Sequence, residues 1–188
     1  QKTKQKDIRK ENISYKYIDV SGIDNELLKV KNFSIVKGKD APSRARKIVI
    51  KEDVIIATVR PTLKRISLID KEFNNQICST AFCVLRAGQS IIPKYLFYFI
   101  QRDDFIERLG KIQKGASYPA VTDGEIKKQK IILPPLSEQL QISEILSSID
   151  EKIEAEEQKK EAIEQLFKSL LHNLMSGKIR VKNLETEK

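Results

Sequence analysis

The sequence predicts an α+β domain followed by one long helix. Three observations lead there. Short Val- and Ile-rich runs dominate residues 15–86, only one stretch of helical spacing breaks into them before an apolar "KIIL" at 130–133, and residues 137–175 contain neither proline nor glycine. Runs of strands with a single helical stretch between them point to α+β rather than to a regular alternation of strand and crossover helix.

Taken in order, "QKTKQKDIRKEN" is polar and is expected to fray. "YKYIDV" (15–20) reads as a strand that ends at the turn signal "SGIDN". "RKIVIKEDVIIATVR" (46–60) reads as two short strands around "KED", because Val and Ile suit a pleated surface. "RISLI" (65–69) and "QICSTAFCVLR" (76–86) are further strands. Pro93 suits a first helical position, and Leu96, Phe97, Ile100, Phe105, Ile106 and Leu109 follow at helical spacing, with Asp103 placed to cap a second short helix. Gly110, Gly115 and Pro119 mark a loop, and "KIIL" returns as a strand.

The period changes at Pro134–Pro135. Ser137 is a good N-cap, and Glu138 lies in the first turn, where the helix dipole favours negative charge. Ile142, Ile145, Ile149, Ile163, Leu166 and Leu170 fall on one seven-residue a/d frame. Leu146, Ile153, Phe167, Leu171 and Leu174 widen the stripe, whereas Lys152, Glu156 and Lys159 make its centre polar. Gly177 suits the residue just past the helix end, with Lys178 and Arg180 beside the last carbonyls. Such a helix runs about 58 Å at 1.5 Å per residue. A shorter helix broken near Ala155–Lys160 is the alternative, but "EAEEQKKEAIEQ" has high helix propensity and no breaker. A helix of that length cannot bury its whole stripe on a small body, so a second helix is expected to cover the rest. The chain thus divides into a body (1–133), a helical segment (134–181) and a short tail (182–188) expected to be disordered.

Charge follows the same division. The net charge is +9, with +12 on residues 1–136 and −5 on residues 137–175. A polyanion is attracted to the body and repelled by the helix. No segment approaches the roughly 18 apolar residues of a membrane span. Cys78 and Cys83, with His172 as the only histidine, offer no credible zinc set. They read as buried free thiols of a reducing, cytoplasmic location.

Catalytic patterns are sparse. There is no glycine-rich phosphate loop, and His172 lies on the long helix, which leaves the body without a histidine base. Glu125 and Lys127, with Asp103 or Asp104, loosely imitate the carboxylates and lysine of Mg²⁺-dependent nucleases. The lysine, however, continues into an ordinary charge run, "EIKKQK". "LPPL" lacks the Asn or Asp before, and the aromatic after, that an adenine-methylating site shows.

Two stretches, "IILPPLSEQLQISEILSSIDEKI" and "LFKSLLHNLMSGKIRV", resemble the specificity subunit of type I restriction–modification systems. "YIDVSGID", "SRARKIVIKEDVIIATVRP", "STAFCVLR" and "GASYPAV" add weaker cues in the expected order. The resemblance implies a target-recognition domain that reads double-stranded DNA. It also implies a long helix paired antiparallel with a second one, which sets the distance between two half-sites, and docking of methylation and restriction subunits on that frame. It implies no catalysis and no cofactor or metal. A whole subunit of this family holds two recognition domains and two helices, so this chain looks like half of one. Pairing with a second copy, which would read an inverted repeat, or with a different half are both open.

The basic loops are the expected DNA contacts: Arg44, Arg46 and Lys47 in "SRARK", Arg60, Lys64 and Arg65 in "VRPTLKR", and Gln113, Lys114, Ser117 and Tyr118 in "QKGASYP". Ile142, Ile145, Ile149, Ile163, Leu166 and Leu170 are the expected pairing residues of the helix. A specificity subunit reduced to a decoy, acting through its helix without reading DNA, is the competing reading.

Overall fold

The computed structural model describes residue 3 and residues 5–181; the expected disordered tail, 182–188, lies outside the described residues. The chain forms two compact units, residues 1–144 and 145–188.

The first unit is built on two sheets. One has four strands in the order β4–β1–β8–β5: β1 (Ser14–Ile18), β4 (Ser34–Lys37), β5 (Ala45–Val49) and β8 (Gln76–Ser79). β1 and β8 run parallel; the other pairs are antiparallel. The other sheet is antiparallel, in the order β7–β6–β9: β6 (Val54–Ala57), β7 (Ile66–Leu68) and β9 (Phe82–Leu85). A two-residue pair, β2 (Ile23–Asp24) and β3 (Lys29–Val30), completes the β structure.

The "VIIA" of β6 is buried at every position. Val54 and Ile56 point into a cluster with Ile66 and Cys83 and with the helices α1 (Pro93–Phe99), α2 (Asp103–Ile112) and α3 (Asp123–Lys127). Ile55 and Ala57 point the other way, onto Ile18, Val49 and Cys78 of the four-stranded sheet. A strand covered on both faces gains nothing from polar alternation, which is why the run is continuously apolar. The far face of the four-stranded sheet packs Tyr17, Ala45 and Ile77 against Ile8 and Ala41.

The chain passes between the sheets three times: at the turn between β5 and β6, over residues 69–75 between β7 and β8, and at Thr80–Ala81 between β8 and β9. The expected single strand over 76–86 is therefore two strands in different sheets. Ser79 still pairs with Ala45, the turn follows at Thr80–Ala81, and Cys78 and Phe82 enter the same cluster from the two layers. At the first crossing Asp53, 1% exposed, accepts both Nε (2.8 Å) and Nη2 (2.7 Å) of Arg86 and the backbone N–H of Ile50 (2.9 Å).

Other expectations change for physical reasons. "KIIL" is not a strand: the carbonyl of Ile132 accepts the Tyr95 hydroxyl at 2.9 Å, and Ile131 packs on the helical cluster, so side chains satisfy this segment instead of a ladder. Asp103 does not cap α2; it is the first helical residue, and its carboxylate pairs with Lys64 at 2.6 Å. Gly110 lies inside α2 rather than at its end. A Cβ there would meet the Thr62 methyl at 3.3 Å, so glycine lets the 60–64 turn approach the helix closely. The expected loop, "GKIQKGASYPAVTDG", ends early: its "TDG" with Glu125 opens α3, through a capping box in which Thr122 and Glu125 exchange side-chain and backbone hydrogen bonds.

The long helix α4 (Leu136–Met175) is continuous over 40 residues. It starts one residue ahead of the expected cap, Ser137. Its first turn is fixed by Gln139, 1% exposed, whose amide donates to the carbonyls of Pro134 (2.9 Å) and Ser90 (3.1 Å) while its oxygen accepts Ile92 N–H (2.9 Å). Ser143 is also buried, its hydroxyl donating to Gln139 O at 2.7 Å. Past the helix end Gly177 takes a left-handed φ of +71°, as the sequence requires of a terminating glycine.

Asp53→Ala removes two hydrogen bonds from the Arg86 guanidinium and the acceptor of the Ile50 N–H, and urea unfolding should show a loss of about 3–5 kcal/mol; a loss under 1 kcal/mol would contradict the role given to the pair. Cys78 and Cys83 are both buried and free. Desolvation pushes the Cys83 thiol up to about 12 and that of Cys78 higher still. Both are therefore protonated at pH 8, and a chromogenic disulfide reagent should modify them only after denaturation. Fast stoichiometric modification of the native chain would refute that burial.

Candidate nucleic-acid interface

The three stretches that carry candidate residues, 44–47, 60–65 and 113–118, are joined by a line of backbone hydrogen bonds that runs through Thr80–Ala81 and Pro119–Val121. The Arg44 carbonyl accepts Thr80 N–H (2.8 Å), and Ala81 O accepts both the N–H (2.7 Å) and the hydroxyl (2.8 Å) of Thr58. Thr58 O accepts Val121 N–H (2.9 Å), and Arg60 N–H donates to Pro119 O (2.7 Å). Lys114 and Ala120 exchange both backbone bonds at 2.9 Å, closing the loop between them. Arg44, Arg60, Lys114, Ser117 and Tyr118 thus share one border of the domain, and all five are exposed.

Two segments of this border are held in uncommon conformations. Arg60 (φ 48°) and Lys64 (φ 50°) both adopt the left-handed region, on either side of a short 3₁₀ turn, Pro61–Leu63. Non-glycine residues rarely do so unless their surroundings over-determine them. Here the backbone bond from Arg60 to Pro119 and the Lys64–Asp103 pair hold the two ends. In the facing loop Gly115 has φ +105°, and a Cβ there would meet Tyr118 O at 3.1 Å, so the turn needs glycine. The loop presents Tyr118, 72% exposed, at its tip. The Arg60 guanidinium lies 5.2 Å from the centre of that ring and donates from Nη2 to Ser117 O at 3.1 Å. A guanidinium carries five donors in a fork, so most of Arg60's remain available.

The structure engages two expected contacts with acceptors inside the domain. Lys47 is 4% exposed; its ammonium donates to the Phe82 carbonyl and pairs with Asp123 at 2.7 Å, which ties β5 to β9 and α3. Arg65 turns inward to the carbonyls of Ile23 (2.6 Å) and Val20 (3.2 Å), where it fixes the β2 end. Lys47 is a buried cation committed to buried acceptors, whereas Arg65 is half-buried with its Nη1 engaged by the two carbonyls. Arg46 and Gln113 are half-buried, and each has one buried polar atom, Nε and Oε1, without a protein partner. Lys64 stays at the border but half-buried and ion-paired. Thr62 and Leu63, also exposed, stand at the crest of the strained turn; the double left-handed conformation that displays them leaves no mark on residue type.

The nuclease-like set does not assemble. Glu125 is occupied by Thr122, whose backbone N–H and hydroxyl it accepts at 2.7 and 2.9 Å, and those bonds hold its carboxyl below the usual range. Asp103 is held by Lys64, and Asp104 by Arg102 and Arg108. Among the described residues no group of three or more His, Cys, Asp or Glu comes together to hold a metal, and no helix is long and apolar enough to cross a membrane.

On the helix, Ile142 differs in setting from the other expected pairing residues. It is half-buried against the α1–α2 cluster of its own domain. Ile145, Ile149, Ile163, Leu166 and Leu170 are exposed, as are Ile153 and Phe167 beside them.

A family model described as the type I restriction modification DNA specificity domain matches residues 1–165. The chain is similar to the specificity subunit of the type I restriction enzyme HindI of Haemophilus influenzae, 27% identical over 135 residues, and to that of MjaVIII of Methanocaldococcus jannaschii, 32% identical over 153 residues. These alignments cover 70% and 78% of this chain but 29% and 36% of the relatives. Among solved structures it is similar to the HsdS subunit of Thermoanaerobacter tengcongensis, with 37% identity and a TM-score of 0.76, over 91% of this chain and 44% of that one. A structure of an assembled type I system gives 37% identity and a TM-score of 0.77. The chain spans less than half the length of each of these relatives.

If Arg65 is structural and Arg60 is not, their alanine variants must differ in stability. Arg65→Ala should lower the unfolding free energy by about 1.5–3 kcal/mol, the worth of hydrogen bonds from a charged group, whereas Arg60→Ala should fall within about 1 kcal/mol of the parent. Equal losses in urea titrations would overturn the distinction.

Proposed function

Because the chain belongs to the type I restriction–modification specificity family, we propose that it is the non-catalytic DNA-reading component of such a system, recognising one half of a two-part site on duplex DNA. The observation that carries this reading is the border of Arg44, Arg60, Lys114 and the exposed Tyr118, held in place by backbone hydrogen bonds. Its arginines and lysine suit phosphates and guanine edges. Ser117 and Tyr118 add a hydroxyl pair beside them. Pre-set backbone geometry lowers the ordering cost of contact, so a strained, tethered turn is a sensible reader.

The helix supplies the second half of the proposal. Its exposed apolar residues from Ile145 onward take up a second helix, from another copy or another half-subunit, and the pair spaces two recognition domains along DNA. Its net negative charge keeps it off the duplex and leaves it to protein partners, the methylation and restriction subunits. The decoy reading shares this helix and differs only in denying the border any DNA contact.

Binding of the full chain, together with its methylation subunit, to a pool of random duplexes should weaken steeply as salt rises from 50 to 200 mM. Arg60→Ala should reduce affinity for the selected duplex by about tenfold, and Lys114→Ala should lower the salt slope by about one. Unaltered protection of DNA by both variants would reject the border as the reader. Helix-dependent docking without any duplex binding at low salt would favour the decoy.

A further inference from the structure

The polar centre of the helical stripe has a use that the family resemblance does not supply. We propose that α4 pairs antiparallel with a second copy of this chain in one register, with Glu156 of each helix facing Lys159 of the other. The proposal rests on the helix-pairing part of the function given above and specifies it.

In an antiparallel pair, a positions of one helix meet d positions of the other. One register sets Ile145 opposite Leu170, Ile149 opposite Leu166, Lys152 opposite Ile163 and Glu156 opposite Lys159 of the second copy. The two-fold axis repeats each contact, so the centre holds two Glu–Lys pairs flanked on both sides by apolar layers. Lys152 reaches past Ile163 with its apolar stem and keeps its ammonium in water. Sliding the helices by one heptad spoils the match in either direction. One way, Ile145 keeps an apolar partner in Ile163 and Lys152 meets Glu156, but Ile149 faces Lys159, Leu170 faces Glu138, and Leu166 faces Ile142, which is already packed into its own domain, so apolar layers are lost. The other way, Glu156 faces Leu166, Lys152 faces Leu170 and Ile149 faces Asn173.

The flanking positions agree. On one side of the seam the chosen register brings Leu146 toward Phe167 of the other copy and lays the apolar stem of Lys160 beside Ile153. On the other side it brings Ser148 toward Ser169 and Ala155 toward Ala162, whose small side chains let the helices approach closely. In the single chain the seam residues Ile145, Ile149, Ile163, Leu166 and Leu170 are exposed, and Glu156 and Lys159 meet only each other, at 3.6 Å along the same helix. A face that complements itself about a two-fold axis, in charge as well as in apolar pattern, selects a second copy as its occupant.

The test is dimerisation by sedimentation, with charge changes that separate contacts within a helix from contacts across it. Glu156→Lys and Lys159→Glu should each weaken self-association about tenfold, because each sets like charges opposite one another twice. Mixing the two variants should restore association. Each variant helix still carries like charges at 156 and 159, so recovery can arise only across the interface. Register is read by oxidising mixed single-cysteine chains: Ile149→Cys with Leu166→Cys should form a disulfide, and Ile149→Cys with Lys159→Cys should not. No recovery on mixing, or a 149–159 disulfide in a stable dimer, overturns this register while leaving helix pairing intact. A monomer at all micromolar concentrations overturns the register and the self-pairing on which it rests.

Discussion

Asp53 holds a carboxylate in the interior where the chain crosses from one sheet to the other, and Arg86 meets it with two parallel hydrogen bonds. Burying a charge is expensive unless it is paired and its remaining acceptors are filled, and the Ile50 N–H completes the set. The same residue's backbone binds Ile50 and Ile69, so the end of β5, the start of β6, the end of β7 and the exit of β9 are held at one point. With that end fixed, the three-stranded sheet lies between the other sheet and the helices, and its opposite end carries the Thr58–Pro61 and Thr80–Ala81 segments to the border.

What stands at the border is held there by groups that do not stand on it. Thr58 links Ala81 to Val121, and Arg60 N–H meets Pro119, so two loops distant in sequence are registered to each other by backbone bonds independent of side-chain identity. Lys47 and Arg65 belong to this support: one joins β5 to β9 and α3, the other closes the β2 turn. Such an arrangement lets exposed residues vary in chemistry while the scaffold keeps their positions, as recognition loops on a rigid frame require.

The long helix shows the same separation along one element. Its first turns are part of the domain: Gln139 fills three hydrogen-bonding groups of the 90–92 and 134 segments, and Ile142 joins the helical cluster. From Ile145 its apolar residues are exposed. An exposed apolar face on this scale, repeating every seven residues, is of the kind that helix pairing covers.

The sequence by itself determined the class of fold, the family and the long helix with its glycine stop, because these rest on periodicity, breakers and motifs, which are local. β6 was legible as an apolar strand, and Cys78 and Cys83 as buried thiols, for the same reason. Tertiary structure alone decided which cations face solvent. Lys47 and Arg65 sit in the same basic runs as Arg46 and Lys64, and residue type does not reveal that a carbonyl and a carboxylate lie within reach of one but not of its neighbour. It likewise decided that "KIIL" is not a strand, that 76–86 is two, and that Arg60 and Lys64 take left-handed turns. Each depends on a hydrogen-bonding partner supplied from elsewhere in the chain, and the free energy of such a bond is settled by where the fold brings its two groups, not by the residues that bear them.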